Sequence, residues 1–310
     1  MSRVDEALRR AAGEPIGGTV PTDAGRTSGP ATVAFDATEG DSPAPVAPEL
    51  VASAAAPDLP AAADRATSLL ERIDHRLAEK VVVDTNISTA SREQYRQLAA
   101  VLHDAQAASG LKVVMIASAV AGEGKTLTAT NLAMTFSESY RRRVLLIDAD
   151  LRRPNLHQLF KVVASSGLSE GLSATADTKL VVRQITAGLS LLPAGRPTQD
   201  PMGALTSERM RRLIAEARDA FDWVIIDTPP LVLLPDANLL APIADGVVIV
   251  VRAKSTPHAL AKRAVDAIGS DRLLGVVLNA ARESDSPGYY HYDQYYDQQR
   301  PETAGVSAVR

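Results

Sequence analysis

Gly122, Gly124, Lys125 and Thr126 are the residues of this chain whose types and spacing point most directly to chemistry. They close the stretch 118–126, Ser-Ala-Val-Ala-Gly-Glu-Gly-Lys-Thr, which comes close to the pattern G-x-x-x-x-G-K-[ST] of a loop that cradles phosphate. The first glycine of that pattern is Ala119 here, while Gly122 and Gly124 stand where the backbone must come nearest to phosphate. Residues 112–118 before the loop are an apolar, β-branched run of strand length, and Leu127, Leu132, Ala133 and Phe136 after it have helical spacing. In that setting the backbone of Ala121, Gly122, Glu123, Gly124 and Leu127, with the positive end of the helix dipole, would surround a polyphosphate. The Lys125 ammonium would reach the β- and γ-phosphates, and the Thr126 hydroxyl would bind Mg²⁺. ATP and Mg²⁺ are the expected ligands.

Three acids share the same setting. Asp148 and Asp150 close the apolar run that starts at Val144, and Asp227 closes the run that starts at Trp223. A half-buried carboxylate at a strand end is costly without a partner, and the cation that would meet it there is the Mg²⁺ of the nucleotide. Thr126, Asp148 and Asp227 are the expected metal ligands. A spacing of two puts Asp148 and Asp150 on one side of an extended backbone, so both are expected to face the γ-phosphate. One would serve the metal and the other would accept or position a hydroxyl proton, which makes Lys125, Asp148 and Asp150 the candidate catalytic residues. Arg152 and Arg153 follow, as either a solvated turn or a contact to phosphate or a neighbouring subunit. Asn279 ends the last strand, as either an amide that reads the base or a turn residue.

The elements that must position these residues can be read from periodicity. Strands are expected at 113–117, 144–148, 189–192, 223–227, 247–251 and 274–278, with helices at 125–139, 206–220, 236–242 and 256–268. Ser91 is expected to cap a further helix that runs to about residue 108 and stops at Gly110, with Tyr95, Leu98 and Leu102 facing inward. Alternating strands and helices, with strands apolar on both faces, imply a mostly parallel sheet flanked by helices on both faces. The ligand then sits at the carboxyl ends of the strands.

The folded unit is expected over 84–282. Before it, residues 1–13 form a short helix that either docks to a partner or frays. Residues 14–65 are a linker rich in Pro, Ala, Gly, Ser and Thr, and 66–83 hold a helical pattern followed by an edge strand at 81–83. After it, residues 283–310 carry Tyr289, Tyr290, Tyr292, Tyr295 and Tyr296, five of the seven tyrosines, among Glu283, Asp285, Asp293 and Asp297. No apolar period accompanies them, so this segment is read as flexible. A net charge of −4 gives no electrostatic reason to expect nucleic acid, and the absence of cysteine removes disulfides and cysteine-held metals and suits a reducing cytoplasm. Neither a membrane span nor a signal peptide is expected from the apolar runs.

Together, residues 121–126 as Walker A, 145–154 as a second Walker A′, 222–230 as Walker B, the run 274–279 and the tyrosine-rich tail resemble the bacterial tyrosine kinases of the capsule and exopolysaccharide type. The likeness covers roughly residues 84 to 296. It implies a P-loop NTPase fold of the deviant Walker A class and ATP-dependent autophosphorylation of the five tail tyrosines between subunits of a homo-oligomer. It also implies control of polysaccharide polymerisation and export, a membrane chain-length-determining (polysaccharide co-polymerase) protein as activator, and a protein tyrosine phosphatase as counter-enzyme. The kinase would be cytoplasmic, drawn by its partner to the inner face of the membrane. The family often carries E-x-x-R-x-x-R as a subunit contact before the loop. Here Glu93 and Arg96 fit and Ala99 stands third, so arginine at Ala99 is expected to strengthen self-association. Sister ATPases of the Min and Par type place a lysine early in the loop, where this chain has Val120. A non-catalytic nucleotide-binding platform is the remaining alternative.

Overall fold

The computed structural model describes residues 50–52, 73–74, 78–84, 86–174, 180–232 and 236–281. The expected helix at 1–13, most of the linker, most of the helical pattern before residue 78 and the tyrosine-rich tail lie outside them. Strands β1 (Leu50–Ala52), β2 (Val113–Ser118), β3 (Val144–Asp148), β4 (Leu180–Gln184), β5 (Leu189–Leu192), β6 (Trp223–Asp227), β7 (Gly246–Arg252) and β8 (Leu273–Asn279) form one sheet. Its order is β1-β4-β5-β3-β6-β2-β7-β8. Every pairing is parallel except β4 with β5.

Helices α1 (Thr89–Ser109), α2 (Lys125–Glu138), α3 (Leu156–Leu159), α4 (Leu168–Ser173), α5 (Pro201–Thr206), α6 (Glu208–Ala220), α7 (Asp236–Leu240) and α8 (His258–Ile268) complete the described elements. The central strands are buried along their whole length because each face carries its own core. Val113, Met115 and Ala117 of β2 turn to the side covered by α6 and α8. Val114 and Ile116 turn to the side covered by α1 and α2, where Phe136 stacks on Trp223 at 4.2 Å between ring centroids. Helix α2 connects β2 to β3 past β6, whereas β7 lies on the other side of β2. The chain therefore winds both ways from β2, and the crevice opens at the carboxyl end of that strand.

Several expectations are corrected. Ser88, not Ser91, caps α1, its hydroxyl accepting the Ser91 N–H at 3.1 Å, and Gly110 stops the helix in the left-handed region at φ 73°. Residues 81–83 are a turn and not an edge strand, because the Val82 N–H goes to Asn131 Oδ1 at 2.9 Å, which leaves no ladder to join. Ile73, Val81 and Val82 belong to the second core, so the folded unit starts before residue 84. Leu50–Ala52, inside the stretch read as linker, is a strand beside β4. The helix expected at 206–220 is α6, which Ser207 caps, and the separate short helix α5 just before it was not expected. The pattern at 236–242 passes into a 3₁₀ turn at Ala241–Ile243, where Pro242 removes a backbone donor.

Ala99 requires the largest revision. Its side chain has no exposed surface and sits in the second core, whereas Glu93 and Arg96 pair with each other at 3.8 Å at the surface. Arginine at this position would enter packed hydrocarbon and not a neighbouring subunit. Ala99→Arg is expected to cost on the order of 3 kcal/mol by overpacking and burial of an unpaired charge. Denaturant unfolding measures this, and stability equal to wild type would contradict the placement of α1.

Candidate phosphate-loop site

The loop between β2 and α2 puts Gly122 at φ 85° and Gly124 at φ 96°, both in the region that favours glycine. At Gly124 there is also no room, since a Cβ would lie 2.0 Å from Asn279 Nδ2. No side chain caps α2, so the N–H groups of its first turn stay available to an anion.

The loop is braced from behind. Glu123 is buried, and its carboxylate accepts the Val120 N–H at 2.7 Å and the Thr256 hydroxyl. Asn279 Nδ2 donates to the Glu123 carbonyl at 2.8 Å, its Oδ1 accepts the Ala280 N–H at 2.8 Å, and Arg252 Nη1 donates to the Gly122 carbonyl at 3.3 Å. Sequence reasoning assigned the Glu123 backbone to the phosphate, and the carboxylate, on which it was silent, faces the protein. Leu127 likewise packs toward the second core. Ala121 and Gly122 form the exposed crown of the loop. Asn279 stands where the sequence put it, at the end of β8, and its amide is engaged with the loop. Thr256 and Arg252 were not anticipated. Arg252 ends β7 at the ligand edge, which topology could have flagged, whereas nothing in the sequence singles out Thr256.

At the mouth of the loop Lys125 Nζ lies 3.5 Å from Asp227 Oδ1, 3.6 Å from Asp150 Oδ2 and 3.3 Å from Thr126 Oγ1. Burial alone would lower the pKa of this ammonium, but Asp227, Asp150 and Asp148 outweigh it and hold the value above normal. Asp227 is fully buried, which raises its carboxyl; Lys125 and a hydrogen bond from Thr126 oppose that without cancelling it. Asp148 is pushed up to about 7 by burial and by Asp227, against the pull of three backbone N–H groups.

Those three donors divide the acid pair. Asp148 Oδ1 accepts the Asp150 N–H at 3.2 Å, and Oδ2 accepts those of Asn155 at 3.1 Å and Leu156 at 3.0 Å. Asp150 directs Oδ2 to Lys125 and uses Oδ1 for the Arg153 N–H at 3.0 Å. The expectation that both face one phosphate is replaced by this division, because the chain turns after β3 and alternation no longer holds. Lys125, Thr126, Asp150 and Asp227 are thus brought into one group, with Asp148 behind it.

Among the described residues no cluster of three or more acids, histidines or cysteines could hold a metal by itself. The oxygen set of Thr126 and Asp227 suits Mg²⁺, which is bound through one or two carboxylates and completes its shell with phosphate and water.

A family model described as an AAA domain matches residues 111–261. The chain is 35% identical over 220 residues to the tyrosine-protein kinase YwqD of Bacillus subtilis, covering 70% of this chain and 92% of that protein. The chain belongs to the bacterial tyrosine kinases. The kinase domain of Escherichia coli tyrosine kinase Etk superposes with a TM-score of 0.58 at 29% identity, over 66% of this chain and 83% of that one. The succinoglycan biosynthesis transport protein ExoP of Rhizobium meliloti is 35% identical over 221 residues, which are 69% of this chain and 28% of ExoP. This protein-tyrosine kinase therefore carries a nucleotide-binding P-loop fold, and among its described residues no helix is long and apolar enough to cross a membrane.

Gly124→Ala is expected to weaken nucleotide binding at least tenfold, about 1.4 kcal/mol, with calorimetric titration as the check; unchanged affinity would contradict the contact with Asn279. A second expectation concerns pH. Because the Asp148 carboxyl has a higher pKa in the folded state, the folded state binds more protons, and its contribution to stability falls as pH rises from the ordinary 3.8 to about 7. Unfolding of nucleotide-free protein at pH 5 and pH 7.5 should show that fall, reduced in Asp148→Asn. An equal fall in both proteins would contradict the assignment.

Proposed function

We propose that the chain is an ATP- and Mg²⁺-dependent autokinase that phosphorylates Tyr289, Tyr290, Tyr292, Tyr295 and Tyr296 in the tail of a neighbouring copy. The observation that carries the reading is the buried Lys125 ammonium held between Asp150 and Asp227 at the mouth of a pre-shaped glycine loop. The loop N–H groups and Lys125 bind the β- and γ-phosphates and offset charge that develops on the transferred group. Thr126 and Asp227 would supply oxygen donors for the metal, which would neutralise phosphate charge when bound. Asp150 has the carboxylate oxygen that faces the reacting end of the loop, so it orients the tyrosine hydroxyl and accepts its proton. Asp148 fixes the turn that aims Asp150. Asn279 braces the loop and borders the base.

The names of the relatives support a role in exopolysaccharide or capsule formation, and the match to part of the ExoP transport protein supports a membrane chain-length-determining protein as activator. In this reading the kinase is a cytoplasmic homo-oligomer drawn to the inner face of the membrane, and a protein tyrosine phosphatase resets it. Each phosphate adds about −1.5 to −2 charges. Five would add roughly −8 to −10 to an already acidic tail, enough to expel it from a carboxylate-lined site and loosen the assembly.

Incubation with ATP and Mg²⁺ followed by mass spectrometry should find phosphate on the tail tyrosines. Lys125→Met should abolish it while leaving the fold intact, and Asp150→Asn should lower turnover at least a hundredfold with ATP affinity changed much less. Phosphate absent from all five positions, or full signal in Lys125→Met, would overturn the reading.

A further inference from the structure

Beside the phosphotransfer site lies a cleft of about 510 Å³ between the loop that enters α3 and the loop that leaves β5. Its lining includes Arg152, Arg153, Arg196 and His157. All three arginines are exposed, and His157 Nδ1 is out of solvent with no hydrogen-bond partner among the described residues. Glu170 nearby has both oxygens engaged, one by the Arg196 N–H at 3.0 Å and the other by the Gly167 N–H at 2.8 Å and the Ser169 hydroxyl at 3.1 Å. The cleft therefore presents the guanidinium groups of Arg153 and Arg196, the side chains best suited to paired recognition of carboxylate or phosphate. It also adjoins the chemistry directly, since the backbone of Arg153 donates to the Asp150 carboxylate.

The tail has the complementary pattern. Asp293 and Asp297 stand two residues before and two residues after Tyr295. In an extended segment those three side chains lie on one face, about 7 Å apart in sequence order. None of the other four tail tyrosines has acids at both positions: Tyr289, Tyr290, Tyr292 and Tyr296 are each flanked differently.

Resting on the autokinase reading above, we propose that the arginine cleft is the docking site for the acidic flank of the acceptor segment of a second copy. It takes the carboxylate of Asp293 or Asp297 while Tyr295 enters the phosphotransfer site. Tyr295 is then the first tyrosine modified. The kinase recognises acidic tyrosine peptides, and its selectivity lies outside the nucleotide loop.

The test uses the full chain and a synthetic peptide of residues 288–297. Arg196→Glu should raise KM for the peptide about tenfold and leave KM for ATP within twofold. An Asp293→Asn, Asp297→Asn peptide should show a similar loss with the wild-type kinase. A peptide with lysine at both positions should be a better substrate for Arg196→Glu than for wild type, and early time points of tail modification in wild type should show Tyr295 first. If wild type modifies its tail and the peptide but neither charge change moves peptide KM, the docking proposal fails and the autokinase reading stands. A rise in KM for ATP instead would assign the cleft to the nucleotide and also overturn the proposal. No phosphate transfer by wild type to tail or peptide would overturn both.

Discussion

The structure turns on a charge imbalance held out of water. One ammonium, Lys125, sits with Asp227 and Asp150 within 3.6 Å, and Asp148 contributes to the same field. Three carboxylates and one cation in a buried group are unfavourable, which is why burial drives Asp148 and Asp227 toward their protonated forms. The arrangement is stabilised by what it binds. A divalent cation would restore the balance on the acid side, and a polyphosphate would give Lys125 a partner that the loop can also hold. A site like this costs stability when empty, and that cost is reasonable only where a ligand recovers it.

Everything around that group keeps it in place. The parallel strands end at one edge, so Asp148 and Asp227 become neighbours in register across β3 and β6. The loop backbone is anchored by the Arg252 guanidinium from β7, the Asn279 amide from β8 and the loop's own Glu123 carboxylate, which Thr256 in the turn between β7 and α8 holds in place. Loop shape therefore depends on β7 and β8, beside β2 in the sheet, and a rearrangement there would move the loop. Arg152 and Arg153, just past Asp150, extend the same edge and line the neighbouring cleft.

Much of this was legible in the sequence where one physical signal was strong. Buried parallel strands are continuous apolar runs, so β2, β3, β5, β6 and β7 were found within a residue or two, as was the apolar edge strand β8, and the glycine loop and the acids at the strand ends followed. The failures have causes. Residues 81–83 have strand composition, but the Asn131 side chain takes a backbone donor there, and no local pattern reveals a partner 49 residues away. The short helices α3 and α4 are too brief for a period to show, and the apolar run of β4 is only three residues, Leu180 to Val182, before Arg183 breaks it. Ala99 was read through the family's subunit contact, whereas the phase of α1 turns it into the core. The side-chain role of Glu123 was not read at all, and only the three-dimensional contact with Thr256 shows that it braces the loop.

The most direct test of the account is the structure of the full chain with Mg²⁺ and a non-hydrolysable ATP analogue. The account predicts that Lys125 Nζ leaves Asp150 and Asp227 for the β- and γ-phosphates, with the metal between Thr126, Asp227 and phosphate oxygen and the Glu123 and Asn279 contacts unchanged. Nucleotide bound away from residues 121–127, or Lys125 still paired with both acids when nucleotide is present, would contradict it.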